Sequence, residues 1–104
     1  MQIQINTDNN VEGHEQLAEK VKNEINKKLD RFSNYLTRIE VHLGDENSQK
    51  SGQYDKRCLL EARLKHHQPI VVSDNASTVM QATTGAVKKL KHALKNTIGR
   101  LSDI

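Results

Sequence analysis

Aromatic side chains are nearly missing from this sequence: it has no tryptophan, one phenylalanine (Phe32) and two tyrosines (Tyr35, Tyr54) in 104 residues. With so few there is no platform on which unpaired bases could stack in a row, and the core must be built from Leu, Ile, Val and Ala. Cys58 is the single cysteine. It excludes an intramolecular disulfide and a cysteine-based zinc cluster, and it fits a reducing cytosol. No apolar run approaches the roughly 18 residues that span a bilayer. The N-terminus also lacks the charged start and apolar block of a signal peptide, so a cytoplasmic chain with no membrane partner is expected. The length sets one domain over residues 1–104, with room for one sheet and two helices.

Acidic residues are missing from one long stretch: none lies between Asp74 and Asp103. The net charge of +3 says little by itself, but its distribution is uneven. Residues 1–75 hold 11 basic and 12 acidic residues, whereas residues 76–104 hold five basic and one acidic. The densest segment is AVKKLKHALK, residues 86–95, with four lysines and a histidine.

Periodicity divides the chain. Residues 2–6 alternate polar with apolar (Ile3, Ile5), the mark of a short half-buried strand. From about Glu12 the spacing of Leu17, Val21, Ile25, Leu29 and Phe32 makes one stripe of an amphipathic helix. At 100° per residue, Lys20, Lys27 and Arg31 fall at roughly 280–320° from Leu17 and Lys28 near 20°, forming a basic edge. Glu15, Glu19 and Asp30 occupy the other flank. Residues 37–43 return to period two, residues 44–53 read as an exposed hairpin loop, and residues 54–64 form a third strand with Cys58, Leu60, Ala62 and Leu64 on one face. HHQP is a tight turn before a fourth strand at residues 70–73. Short connections predict an antiparallel meander of strands two, three and four.

SDNAS, residues 73–77, supplies helix N-cap residue types. In the long helix that follows, Val79, Ala86, Val87, Leu90, Leu94 and Ile98 make the buried stripe. Lys88, Lys89, Lys91, His92, Lys95 and Arg100 fall roughly 120–300° round from Val79 and tile the exposed face. The order is βαβββα. One apolar face per strand and one stripe per helix predict an α+β two-layer sandwich, a four-stranded sheet with two helices on one face.

A lysine-rich helix can be a solvated surface. A purely solvated helix, however, usually carries balancing acids at i, i+4, and none is present here. Two basic stripes side by side would match the phosphates of two backbone segments. Lysines read charge rather than bases, so the chemistry points to structured RNA recognised by shape. His66 and His67 are adjacent in a turn and poorly placed to share a metal ion, and His14, His42 and His92 are scattered, so no metal site is predicted. Cys58, on the apolar face of a strand, reads as a buried hydrophobe. No Gly-rich phosphate loop or nucleophile elbow is present, and no enzyme activity, cofactor or small-molecule substrate is expected.

Three stretches carry a resemblance: MQIQINTDNNVEGHEQL at the start, RFSNYLTRIEVHL where the first helix hands over to the second strand, and AVKKLKHALK in the last helix. Together they resemble the ribosome hibernation factors, the ribosome-associated inhibitor and short hibernation promoting factor family. The resemblance implies a stress or stationary-phase protein on the small ribosomal subunit. It would block translation by covering the decoding region of ribosomal RNA, as a monomer or weak dimer. By motif, Lys89 takes a family lysine, His92 stands where an arginine is usual, Lys95 lies near the terminal basic position, and Lys27 takes a family lysine of the first helix. Lys20, Lys28 and Arg31 join them by helical position, as do Lys88 and Lys91. A general double-stranded RNA-binding domain and a stress-response protein-interaction domain without RNA are the alternative readings.

Overall fold

The computed structural model describes residues 1–8, 14–45 and 55–102, and the side chains of all of these except His14, Arg100, Leu101 and Ser102. The elements run β1 (Gln2–Thr7), α1 (His14–Leu29), a 3-10 turn (Asp30–Phe32), β2 (Leu36–Asp45), β3 (Lys56–Leu64), β4 (Ile70–Ala76) and α2 (Val79–Ser102). This is the expected βαβββα order.

The four strands form one sheet in the order β1-β2-β3-β4. β2, β3 and β4 make the antiparallel meander that their short connections require, with Val41 opposite Leu60 and Leu60 opposite Val72. β1 pairs parallel to β2, Ile3 opposite Ile39 and Ile5 opposite Val41. A parallel neighbour needs a crossover connection, and α1 provides it. A register shift between Leu36 and Arg38 leaves the Thr37 hydroxyl donating to the Arg63 carbonyl at 3.0 Å.

Period two separates the two sheet faces. Ile39, Val41 and Leu43 on β2 and Cys58, Leu60, Ala62 and Leu64 on β3 are buried, while Thr37, His42, Arg57 and Arg63 are exposed. Both helices cover the first face, α2 across β3 and β4, and α1 beside α2 and β1. Val21, Ile25 and Leu29 on α1 meet Leu90 and Leu94 on α2 in one core, all with no exposed surface. Burial of each such side chain stabilises the fold by about 1.5–3 kcal/mol.

Three local expectations change. Gly44 and Asp45 belong to β2 rather than to a loop, and residues 46–53, the rest of that predicted loop, lie outside the described residues, as does Tyr54 of the expected third strand. Phe32 is buried on the 3-10 turn rather than on the helix itself. Asp74 to Ala76 continue β4 beyond the expected end at Ser73, with Asp74 opposite Cys58, Asn75 opposite Arg57 and Ala76 opposite Lys56. The cap falls on Thr78, whose Oγ1 accepts from the Gln81 N–H at 3.1 Å and whose carbonyl accepts from the Ala82 N–H at 3.0 Å.

Candidate nucleic-acid interface

Because Leu90 and Leu94 anchor α2 to the sheet, its lysines are turned outward. Lys88, Lys89, His92 and Lys95 are exposed and Lys91 is half-buried. These five side chains line an open cleft of about 570 Å³. The only described partner of the His92 ring is the Asn96 side-chain amide, Nδ2 to Nε2 at 3.4 Å.

A second, smaller groove of about 180 Å³ runs between the helices. Lys28 and Glu24 of α1 form one wall, and Thr84, Val87, Lys88 and Lys91 of α2 form the other. Lys88 and Lys91 line both hollows, so the basic surface is continuous from α1 across α2. Of the α1 residues expected there, Lys28 alone reaches this groove. Lys20 and Lys27 are exposed along the same helix, and Arg31 is exposed on the 3-10 turn that follows it rather than on the helix itself; its guanidinium lies over the Phe32 ring, 4.7 Å from the centroid.

Two acids escaped the sequence reading. Asp74 sits on β4 with its carboxylate beside α2, and Lys89 Nζ donates to Asp74 Oδ1 at 3.3 Å and to the Ser73 carbonyl at 2.9 Å. The lysine matched by motif is therefore tied to the edge strand. The cap reading of residues 73–77 hid this pairing, because it took Asp74 out of the sheet. Glu24 lies in the interhelix groove, and its helical angle, roughly 340° from Leu17, was the signal that could have found it.

The open sheet face treats charge differently. Arg38 pairs with Glu40 at 3.0 Å, and Arg63 with Glu40 at 3.8 Å and Glu61 at 3.6 Å. On the helix side, Lys28, Lys88, Lys91 and Lys95 form no ion pair with a described residue. Cations with counter-charges close by are compensated surface, whereas cations without them are available to an external polyanion. Cys58 faces inward with no exposed surface; burial pushes its thiol up to about 11, the Thr83 hydrogen bond pulls the other way and the Asp74 charge adds to the rise. His66 and His67 lie in the β3–β4 turn, His66 at φ 60 and His67 Nδ1 2.8 Å from the Gln68 carbonyl. Among the described residues, no three His, Cys, Asp or Glu side chains converge as metal ligands, and no helix is long and apolar enough to cross a membrane.

Two solved structures share this architecture. The N-terminal domain of Protein Y from Thermus thermophilus superposes with a TM-score of 0.65 at 19% identity, covering 93% of this chain and 99% of that one. A ribosomal subunit interface protein from Coxiella burnetii gives 0.69 at 17% identity, covering 95% and 99%. At these identities the likeness establishes the fold. No curated protein matches the sequence. The sequence profile described as sigma 54 modulation protein / S30EA ribosomal protein matches residues 3–102. That match takes in all but two residues at each end, so the chain belongs to this family, the ribosome hibernation factors that its helices and first strands resemble.

Proposed function

We propose that the chain binds the small ribosomal subunit and inhibits translation by covering the decoding region of its RNA, under stress or in stationary phase. The carrying observation is the convergence of Lys28 from α1 with Lys88 and Lys91 from α2, none ion-paired to a described residue, on a member of this family. Lys95 and His92 extend the surface along α2, and Lys20 and Lys27 extend it along α1, with Arg31 on the turn that follows. Lys89, compensated by Asp74, lies at the β4 side of the same face. Inhibition by occupancy needs no chemistry from the protein. It needs enough phosphate contacts to hold a small domain where messenger and transfer RNA would otherwise lie. The Coxiella structure, described as a ribosomal subunit interface protein, supports a ribosomal partner.

Competition tests the reading. Small subunits loaded with messenger and transfer RNA are expected to exclude the chain from the sedimenting fraction, while empty subunits retain it. Equal retention on loaded and empty subunits contradicts binding at the decoding region. Short synthetic duplex RNA that displaces the chain as well as empty subunits do would favour the general double-stranded RNA binder instead.

A further inference from the structure

The interhelix groove holds a carboxylate where a phosphate-binding surface has no use for one. Six described carboxylates are buried or half-buried: Glu24, Glu40, Asp45, Asp55, Glu61 and Asp74. Five of them are ion-paired, Glu40 and Glu61 to arginine, Asp45 and Asp55 to Lys56, and Asp74 to Lys89. Glu24 makes no ion pair or hydrogen bond with a described residue, although Lys28, Lys88 and Lys91 line the same groove. A ligand made of phosphates alone would be repelled by this carboxylate. A ligand that carries both negative charge and N–H donors would satisfy the lysines and the glutamate together.

Resting on the ribosomal RNA reading above, we propose that this groove takes one unpaired guanine of the bound RNA, read by the Glu24 carboxylate. Guanine presents N1–H and N2–H side by side, and these match the two oxygens of one carboxylate. Adenine and cytosine offer one amino group there, and uracil one ring N–H. Lys28, Lys88 and Lys91 would donate to guanine O6 and to the flanking phosphates, and the nearly buried Val87 gives the base an apolar wall. At about 180 Å³ the groove suits a single base rather than a base pair. Specific contacts to RNA are made in this way, to bases splayed out of the helix.

Glu24→Gln separates the two possibilities, because they predict opposite signs. Glutamine is a good helix former of the same size, and circular dichroism checks that the fold is retained. Affinity for purified small subunits and the kethoxal reactivity of guanine N1 and N2 are measured for both proteins. If Glu24 reads guanine, the variant binds about tenfold more weakly and one guanine protected by the wild type becomes reactive. Equal or tighter binding by the variant, with an unchanged guanine pattern, overturns the inference and leaves ribosome binding intact. A wild-type chain that does not bind small subunits overturns the proposed function and this inference with it.

Discussion

Cys58 shows how one buried side chain records its surroundings. It lies opposite Asp74 in the sheet with no exposed surface, and its thiol is raised from 9.0 to about 11, chiefly by burial. At pH 8 about one thiol in a thousand is ionised, and only the thiolate reacts. A water-soluble disulfide reagent is therefore expected to label the native chain orders of magnitude more slowly than the urea-unfolded chain. The same shift has a sign in stability. The folded state holds the proton more tightly, so its contribution is complete below pH 9 and is lost as pH rises to about 11, roughly 2–3 kcal/mol in all. Urea unfolding at pH 8 and pH 11 checks this: the wild type should lose more stability over that interval than Cys58→Ala does. That Cys58 is buried was legible from its place on an alternating strand. The Lys89–Asp74 pair was not, because it joins residues that only the docking of α2 onto β4 brings together.

Between β4 and α2 the fit is set by Gly85. A Cβ built on this residue would overlap the Asp74 carboxylate. In an exposed helix interior, replacing Gly with Ala stabilises by about 1 kcal/mol. Here Gly85→Ala must push Asp74 away from Lys89, and a net destabilisation of about 1–2 kcal/mol is expected by thermal unfolding. Combining it with Asp74→Ala should restore the helix-propensity gain, since the obstructing carboxylate is gone; simple additivity of the two changes would count against the fit. The helices were legible because a period of 3.6 survives any tertiary context. β1 was legible as a strand but not as a parallel neighbour of β2, since alternation does not name a partner. The end of β4 was misread because Asp74 and Asn75 are residues that helix caps favour, whereas pairing with Cys58 and Arg57 holds them in the ladder. The groove shares that limit. Helical angles turned Lys88 and Lys91 outward, but which α1 residues face them depends on how the helices pack, and of the predicted basic edge Lys28 is the one that does.

Across the whole molecule, charge is sorted by face. Arg38 and Arg63 on the open sheet are paired with Glu40 and Glu61, while Lys28, Lys88 and Lys91 converge from the two helices with no ion pair to a described residue, although Glu24 shares their groove, and Lys89 pairs with Asp74. Solved structures at 17–19% identity share this frame, as expected where burial pattern and volume define it, since these tolerate wide exchange of side chains. The most direct test of the central claim, that the helix face holds ribosomal RNA through its unpaired lysines, is the salt dependence of binding to purified small subunits. It is best measured for the wild type, for Lys28→Glu with Lys88→Glu, and for Arg63→Glu on the open sheet. The expected result is a steep fall in affinity with salt, with a log–log slope of about −3 to −5 corresponding to a handful of phosphate contacts. The helix pair of reversals should flatten that slope and cost at least tenfold at low salt, and Arg63→Glu should change neither. Salt-insensitive binding, or loss on Arg63→Glu with none on the helix reversals, would contradict it.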